Sequence, residues 1–281
     1  MHLFILIYSY CTFAPEMKEK EGKEMSFLDH LEELRWRLVR SAAVVVVIAI
    51  AIWIFQEWII DNVFLSMKDP SFISFRLMCT YTGICIEEIP VKMQSTTMGG
   101  QFGYAMMMSM IGGVVLAFPF IFYQLWSFVK PGLKSNERTV VKGIVFYVSL
   151  LFFLGILFGY FVVSPMCVQF FGTYQISKNI DNIFTINSYM STIISTVFYS
   201  GLLFLLPVVA YLMAKLGIIT AAFLKKYRKH AIVGVLILSA VITPPDMISQ
   251  IIVSIPILLL YEISIWVTAG VEKNRSKESI V

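Results

Sequence analysis

Gly143-Ile-Val-Phe-Tyr-Val-Ser-Leu-Leu-Phe-Phe-Leu-Gly-Ile-Leu-Phe-Gly-Tyr-Phe-Val-Val163 runs for 21 residues without a charge. A helix rises about 1.5 Å per residue, so about 20 apolar residues cross the roughly 30 Å of bilayer hydrocarbon. Apolar and polar residues do not alternate in this run, which excludes a strand of a transmembrane barrel. Similar uncharged runs lie on both sides of it. Ser41–Gln56 comes first, extended by Leu38 and Val39 before it and by Trp58–Ile60 after it. Met93–Val129 holds a span from about Phe102 to Tyr123, and Asn182–Ala214 holds one from about Tyr189. Ala231–Thr243 and Met247–Val267 follow, the latter interrupted only by Glu262. Over the 281 residues, 58% are hydrophobic and 14% charged. A soluble domain carries about 25% charge, so an ordinary globular enzyme and a disordered chain are both excluded. The sequence therefore predicts an all-α integral membrane protein.

Thr243-Pro244-Pro245-Asp246 decides the number of spans. Two prolines and an aspartate form a turn signal and are costly inside a helix at bilayer depth. The last two runs are accordingly two helices rather than one kinked helix, giving six spans. Lysine and arginine orient them. With six spans, the N-terminal segment, the second and fourth loops and the tail hold 18 of the 22 basic residues, and the opposite side holds 4. Both termini are expected in the cytoplasm, in a multi-pass protein of the cytoplasmic (inner) membrane. The last two helices are expected to be short: Ala231–Thr243 has 13 residues, about 20 Å as helix. Residues 1–24 are read as a poorly structured or spurious extension, with Met17 and Met25 as alternative first residues. The membrane domain is residues 25–270 and the cytoplasmic tail 271–281.

The segment Ser26-Phe-Leu-Asp-His-Leu-Glu-Glu-Leu-Arg-Trp-Arg-Leu38 opens with a capping box. Phe27, Leu31, Leu34 and Leu38 form one apolar stripe at helical spacing. Glu33 and Arg37 stand at i, i+4, where an ion pair is worth a few tenths of a kcal/mol; the alternative role of these acidic residues is a platform for a basic ligand. Tyr123-Gln-Leu-Trp-Ser-Phe-Val-Lys-Pro-Gly-Leu-Lys-Ser-Asn-Glu-Arg138 ends a helix at Pro131-Gly132 and opens another near Ser135. Glu137 then either sits in a first turn favoured by the dipole or joins Glu33 on one cytoplasmic face.

Within the membrane, Glu262 is costly unless it faces protein or water. Asp246, Ser249 and Gln250 cluster at the external turn, where Asp246 can cap the last helix. Gly155-x-x-x-Gly159 reads as a helix-packing motif. Pro119, Pro207 and Pro256 should bend their spans. Cys79 and Cys85 share the first external loop, and are either two free thiols or the ends of a small disulfide-closed loop in an oxidising compartment; a linkage is expected. No cysteine or histidine pair has metal-ligand spacing. Neither a Walker motif, an H-E-x-x-H nor a G-x-S-x-G occurs, so no enzyme activity, metal or cofactor is expected. A small-solute transporter is the rival class, although inverted repeats are not visible.

Four stretches, in order, resemble the TatC family, the multi-spanning core of the twin-arginine protein translocase. They are F-L-D-H-L-E-E-L-R-W-R-L (27–38), Y-Q-L-W-S-F-V-K-P-G-L-K-S-N-E-R (123–138), T-P-P-D-M-I-S-Q (243–250) and I-P-I-L-L-L-Y-E-I (255–263). The resemblance implies a cupped six-helix bundle that binds signal peptides carrying two adjacent arginines on its cytoplasmic face. Carried over, Glu33 and Glu137 would meet the arginines, with Arg35, Phe128, Pro131 and Arg138 shaping or supporting the patch. Glu262, Gln250 and Asp246 would lie near the concave face and its outer rim. The implied partners are single-span TatA/TatB-type subunits and other copies of the chain, with lipid around them and no nucleic acid. Export of folded cargo would be driven by the proton-motive force. One departure concerns the fourth span, which in the family commonly reads F-G-x-x-F-E-x-P. This chain has Ser200-Gly-Leu-Leu-Phe-Leu-Leu-Pro207, with Leu205 at the glutamate position.

Overall fold

In the computed structural model, residues 27–82, 92–129, 141–177, 182–242 and 247–278 are described. The chain is mostly helical. Helix α1 covers Phe27–Ile54; a short α2, Gln56–Ile59, leads into a π-helical turn at Ile60–Phe64 and a 3-10 turn at Leu65–Lys68. Helix α3, Ile73–Thr82, lies between the first two spanning helices. Strand β1, Lys92–Gln94, is followed by α4, Gly100–Val129. Helix α5, Val141–Phe158, passes through a π-helical turn at Gly159–Val163 into α6, Ser164–Thr173. Strand β2, Ile183–Thr185, precedes α7, Ile186–Leu203, and α8, Leu206–Lys215. Three helices complete the chain: α9, Ala221–Lys226; α10, Arg228–Ile242; and α11, Met247–Glu278.

Among the described residues, five helical stretches are long and apolar enough to cross a membrane: Leu31–Ile54, Gly100–Phe128, Gly143–Thr173, Ile186–Lys215 and Gln250–Lys273. These take in five of the six expected spans. The remaining run lies in α10, which has 15 residues, about 22 Å of helix. The expectation that the last helix is also short is corrected, because α11 has 32 residues. Glu262 lies inside this helix, and its carboxylate is met by a partner described below. Helices α10 and α11 pack against one another, with the Gln250 Nε2–H donating to the Leu236 carbonyl at 3.0 Å. The third span also outruns its expected end at Val163. Pro165 falls in the first turn of α6, just after the π-helical turn, where a missing N–H is tolerated. In the fourth span, Pro207 stands in the first turn of α8 after a break at Phe204-Leu205.

Close helix approaches depend on glycine. A Cβ on Gly113 would lie 2.8 Å from the Val45 carbonyl of α1, so α1 and α4 can touch backbone to backbone there. Trp53 meets Phe102 edge-on at 5.4 Å at the other end of this antiparallel pair. A Cβ on Gly155 would lie 2.7 Å from the Ser200 carbonyl, and one on Gly159 would lie 2.8 Å from the Val197 Cα. The Gly155-x-x-x-Gly159 motif is therefore the seat of α7. Phe118, Phe122 and Trp126 stack along α4, and Phe118 lies on the buried Phe152 of α5 at 3.8 Å.

Beyond the C-terminal end of α1, the two π-helical turns are tied to each other and to α3 and α7. The hydroxyl of Tyr160 donates to the Val63 carbonyl at 2.8 Å, and that of Tyr189 to the Phe64 carbonyl at 2.7 Å. Ser74 Oγ donates to the Phe161 carbonyl. A π turn leaves carbonyls without their usual i+4 donors, and side-chain hydroxyls serve them here. Strands β1 and β2 pair in parallel, Met93 opposite Phe184, joining the segment before α4 to the segment before α7. Gly217, with φ of 74°, ends α8, and its N–H donates to the Ala214 carbonyl.

Candidate functional site: the acidic start of the first span

The first turns of α1 carry the acidic motif. A helical period of 3.6 residues puts Glu33 and Arg37 on one face and turns Arg35 away from both. Both Arg37 Nε and Arg37 Nη2 donate to Glu33 Oε1, the former at 3.0 Å. The third arm of the guanidinium, Nη1, makes a long 3.5 Å contact to the backbone carbonyl of Gln124 on α4. Glu33 and Arg37 are 28% and 21% exposed, so this pair is only half open to solvent, unlike an ordinary surface pair. Glu33 Oε2 takes part in none of these bonds. The anchor lies on the same α1–α4 interface at which Gly113 permits close backbone approach. Ser41 Oγ donates to the Arg37 carbonyl one turn on.

Of the other residues singled out in the sequence, Arg35 is exposed and two positions from Glu33 on a different face. Phe128 is half-buried one turn beyond Gln124, on the same face of α4. Glu137, Pro131 and Arg138 lie outside the described residues, as does Asp246. Arg37 was legible only as an i, i+4 partner of Glu33. Nothing in the spacing announced its reach to Gln124, 87 residues away.

The polar residues of the last helix are separate from each other. Gln250 and Glu262 stand 12 positions apart on α11, about 18 Å along the axis. Gln250 binds the Leu236 carbonyl, whereas Glu262 Oε2 accepts from Arg228 Nη2 at 2.6 Å. The hydroxyl of Tyr261 donates to the Leu224 carbonyl at 2.8 Å, and the Ala221 N–H donates to Glu272 Oε1 at 3.1 Å. The loop carrying α9 is thus strapped along the C-terminal half of α11. Cys79 is disulfide-bonded; Cys85, its expected partner, lies outside the described residues. Among the described residues, no group of three His, Cys, Asp or Glu could hold a metal ion.

Comparison with known proteins agrees with the fold. The family model of Sec-independent protein translocase protein (TatC) matches residues 29–256. The TatC of Blattabacterium sp. from Periplaneta americana is 36% identical over 265 residues, covering 92% of this chain and 100% of its own length. TatCy of Bacillus subtilis is 33% identical over 263 residues, covering 94% of this chain and 96% of its own. A crystal structure of the twin-arginine translocase receptor TatC in DDM matches with a TM-score of 0.65 at 30% identity, over 84% of this chain and 98% of that one. The chain therefore belongs to the TatC family, multi-pass inner-membrane subunits of the Sec-independent protein translocase.

Proposed function

We propose that this chain is the signal-peptide receptor and scaffold of its translocase. It binds the adjacent arginines of an export signal on the cytoplasmic face and carries TatA/TatB-type subunits during export driven by the proton-motive force. The observation that supports the reading best is that Glu33, half-buried at the start of the first span, already holds a guanidinium group. A carboxylate so placed can form a charge-assisted, fork-shaped contact worth about 1.5–3 kcal/mol. An ammonium is a point charge and cannot reproduce the fork, which accounts for preference of Arg-Arg over Lys-Lys. In this reading Glu137 supplies the second carboxylate, and Arg35, Phe128, Pro131 and Arg138 border the patch. The name of the crystallised relative, a twin-arginine translocase receptor, points the same way. The six-crossing topology with both termini in the cytoplasm belongs to the same proposal. Crosslinking of an Arg-Arg signal peptide tests the site: Glu33→Ala and Glu137→Ala should each weaken capture and together abolish it. Unchanged capture by the double variant would defeat the assignment.

A further inference from the structure

Resting on that reading of Glu33, we infer that Arg37 is a specificity-determining residue of the peptide site. It holds Glu33 by Oε1 alone, so an incoming cation must share the carboxylate with a resident guanidinium. Three observations carry this. Both Arg37 donors that reach Glu33 converge on one oxygen, whereas an isolated Arg-carboxylate pair uses both. The remaining arm of Arg37 makes a long contact to the Gln124 carbonyl at 3.5 Å, so the guanidinium is shared between Glu33 and α4. And the pair is little exposed, at 21% and 28%, so a neighbouring charge is poorly screened there.

The consequence is selective rather than uniform. A cation approaching Oε2 lies beside the positive charge of Arg37. A guanidinium spreads its charge over a plane, is weakly hydrated and can stack face to face with another. An ammonium concentrates its charge and gives up a tight hydration shell on entering such a place. Arg37 therefore penalises lysine more than arginine at the same carboxylate. Glu33 alone would attract both, arginine already the better for its fork, and Arg37 widens that gap.

The test measures binding of one fluorescent signal peptide, in its Arg-Arg and Lys-Lys forms, to membranes containing the full chain with its translocase partners. The variants are Arg37→Gln, Arg37→Lys and Glu33→Gln. Arg37→Gln should narrow the ratio of the two affinities by roughly three- to fivefold, the size of one partly exposed charge pair, chiefly through tighter Lys-Lys binding. Arg37→Lys, which keeps the charge but not the plane, should weaken both forms. An unchanged ratio in Arg37→Gln, with Arg-Arg binding still dependent on Glu33, overturns the role of Arg37 and leaves the receptor site standing. Arg-Arg binding that is unaffected by Glu33→Gln overturns the site reading itself. Loss of both peptides in Arg37→Gln together with normal binding in Arg37→Lys marks Arg37 as merely structural and also overturns the inference.

Discussion

The Tyr189 hydroxyl shows how a single residue is tied to a distant one. It is buried, and it serves the Phe64 carbonyl at the end of the first π-helical turn, 125 positions earlier. Tyr189→Phe removes the donor without emptying the space, leaving a carbonyl unsatisfied. Such a group costs about 1–3 kcal/mol, so the purified chain should lose a few degrees of Tm in detergent. A Tm equal to the parent's would mean that water replaces the hydroxyl. None of this was legible in the sequence, where Tyr189 read only as the start of an apolar run. The Glu33–Arg37 pair was legible, because it depends on local helical spacing alone. The contact from Arg37 to Gln124 was not, because it depends on how closely two helices approach.

Elements were legible in proportion to their apolar continuity. Five runs became helices long enough to span, and Gly155-x-x-x-Gly159 marked a real crossing. Ends were less legible. The third span continues past Val163 through Pro165, which stands in the first turn of α6, and the last helix extends to Glu278, beyond the expected Val267. The α5–α7 crossing gives a paired prediction. Gly155→Ala forces a Cβ to within 2.7 Å of the Ser200 carbonyl and 2.8 Å of the Gly201 Cα. Rigid backbone cannot yield cheaply, so overpacking should cost about 1–3 kcal/mol. Gly234→Ala, in α10, has nothing within 4 Å of the new Cβ. It gains helix propensity of up to about 1 kcal/mol and should be neutral or stabilising. Thermal unfolding of the two variants side by side checks both signs, and equal losses would mean that glycine content rather than the crossing sets stability.

At the scale of the whole molecule, two antiparallel pairs with different internal ties meet the same membrane. The α1–α4 pair is held by a glycine contact and by Arg37 reaching across it; α10 and α11 are held by Gln250 at one end and by the Arg228–Glu262 pair at the other. The second pair raises the remaining topological question, because α10 is about 22 Å of helix in a bilayer of about 30 Å. Its first residues, Arg228, Lys229 and His230, are polar, which shortens the apolar part further. A helix this short crosses only if the bilayer thins or if its polar end lies inside the protein surface. The Arg228–Glu262 contact gives the exposed, charged end of α10 a partner on α11, well short of the end of that helix. Crossing by α10 puts the tail on the same side as the N-terminus, in agreement with the 18-to-4 split of basic residues. A reporter fused after Val281 should therefore be active in its cytoplasmic form, and a cysteine placed at the exposed Ile176 should react with an impermeant thiol reagent from outside. Substituting Glu262→Gln should leave the reporter's side unchanged while lowering the amount of inserted chain, since Arg228 would lose its charged partner. A reporter active only on the external side would show five crossings, with α10 lying at the surface instead of passing through.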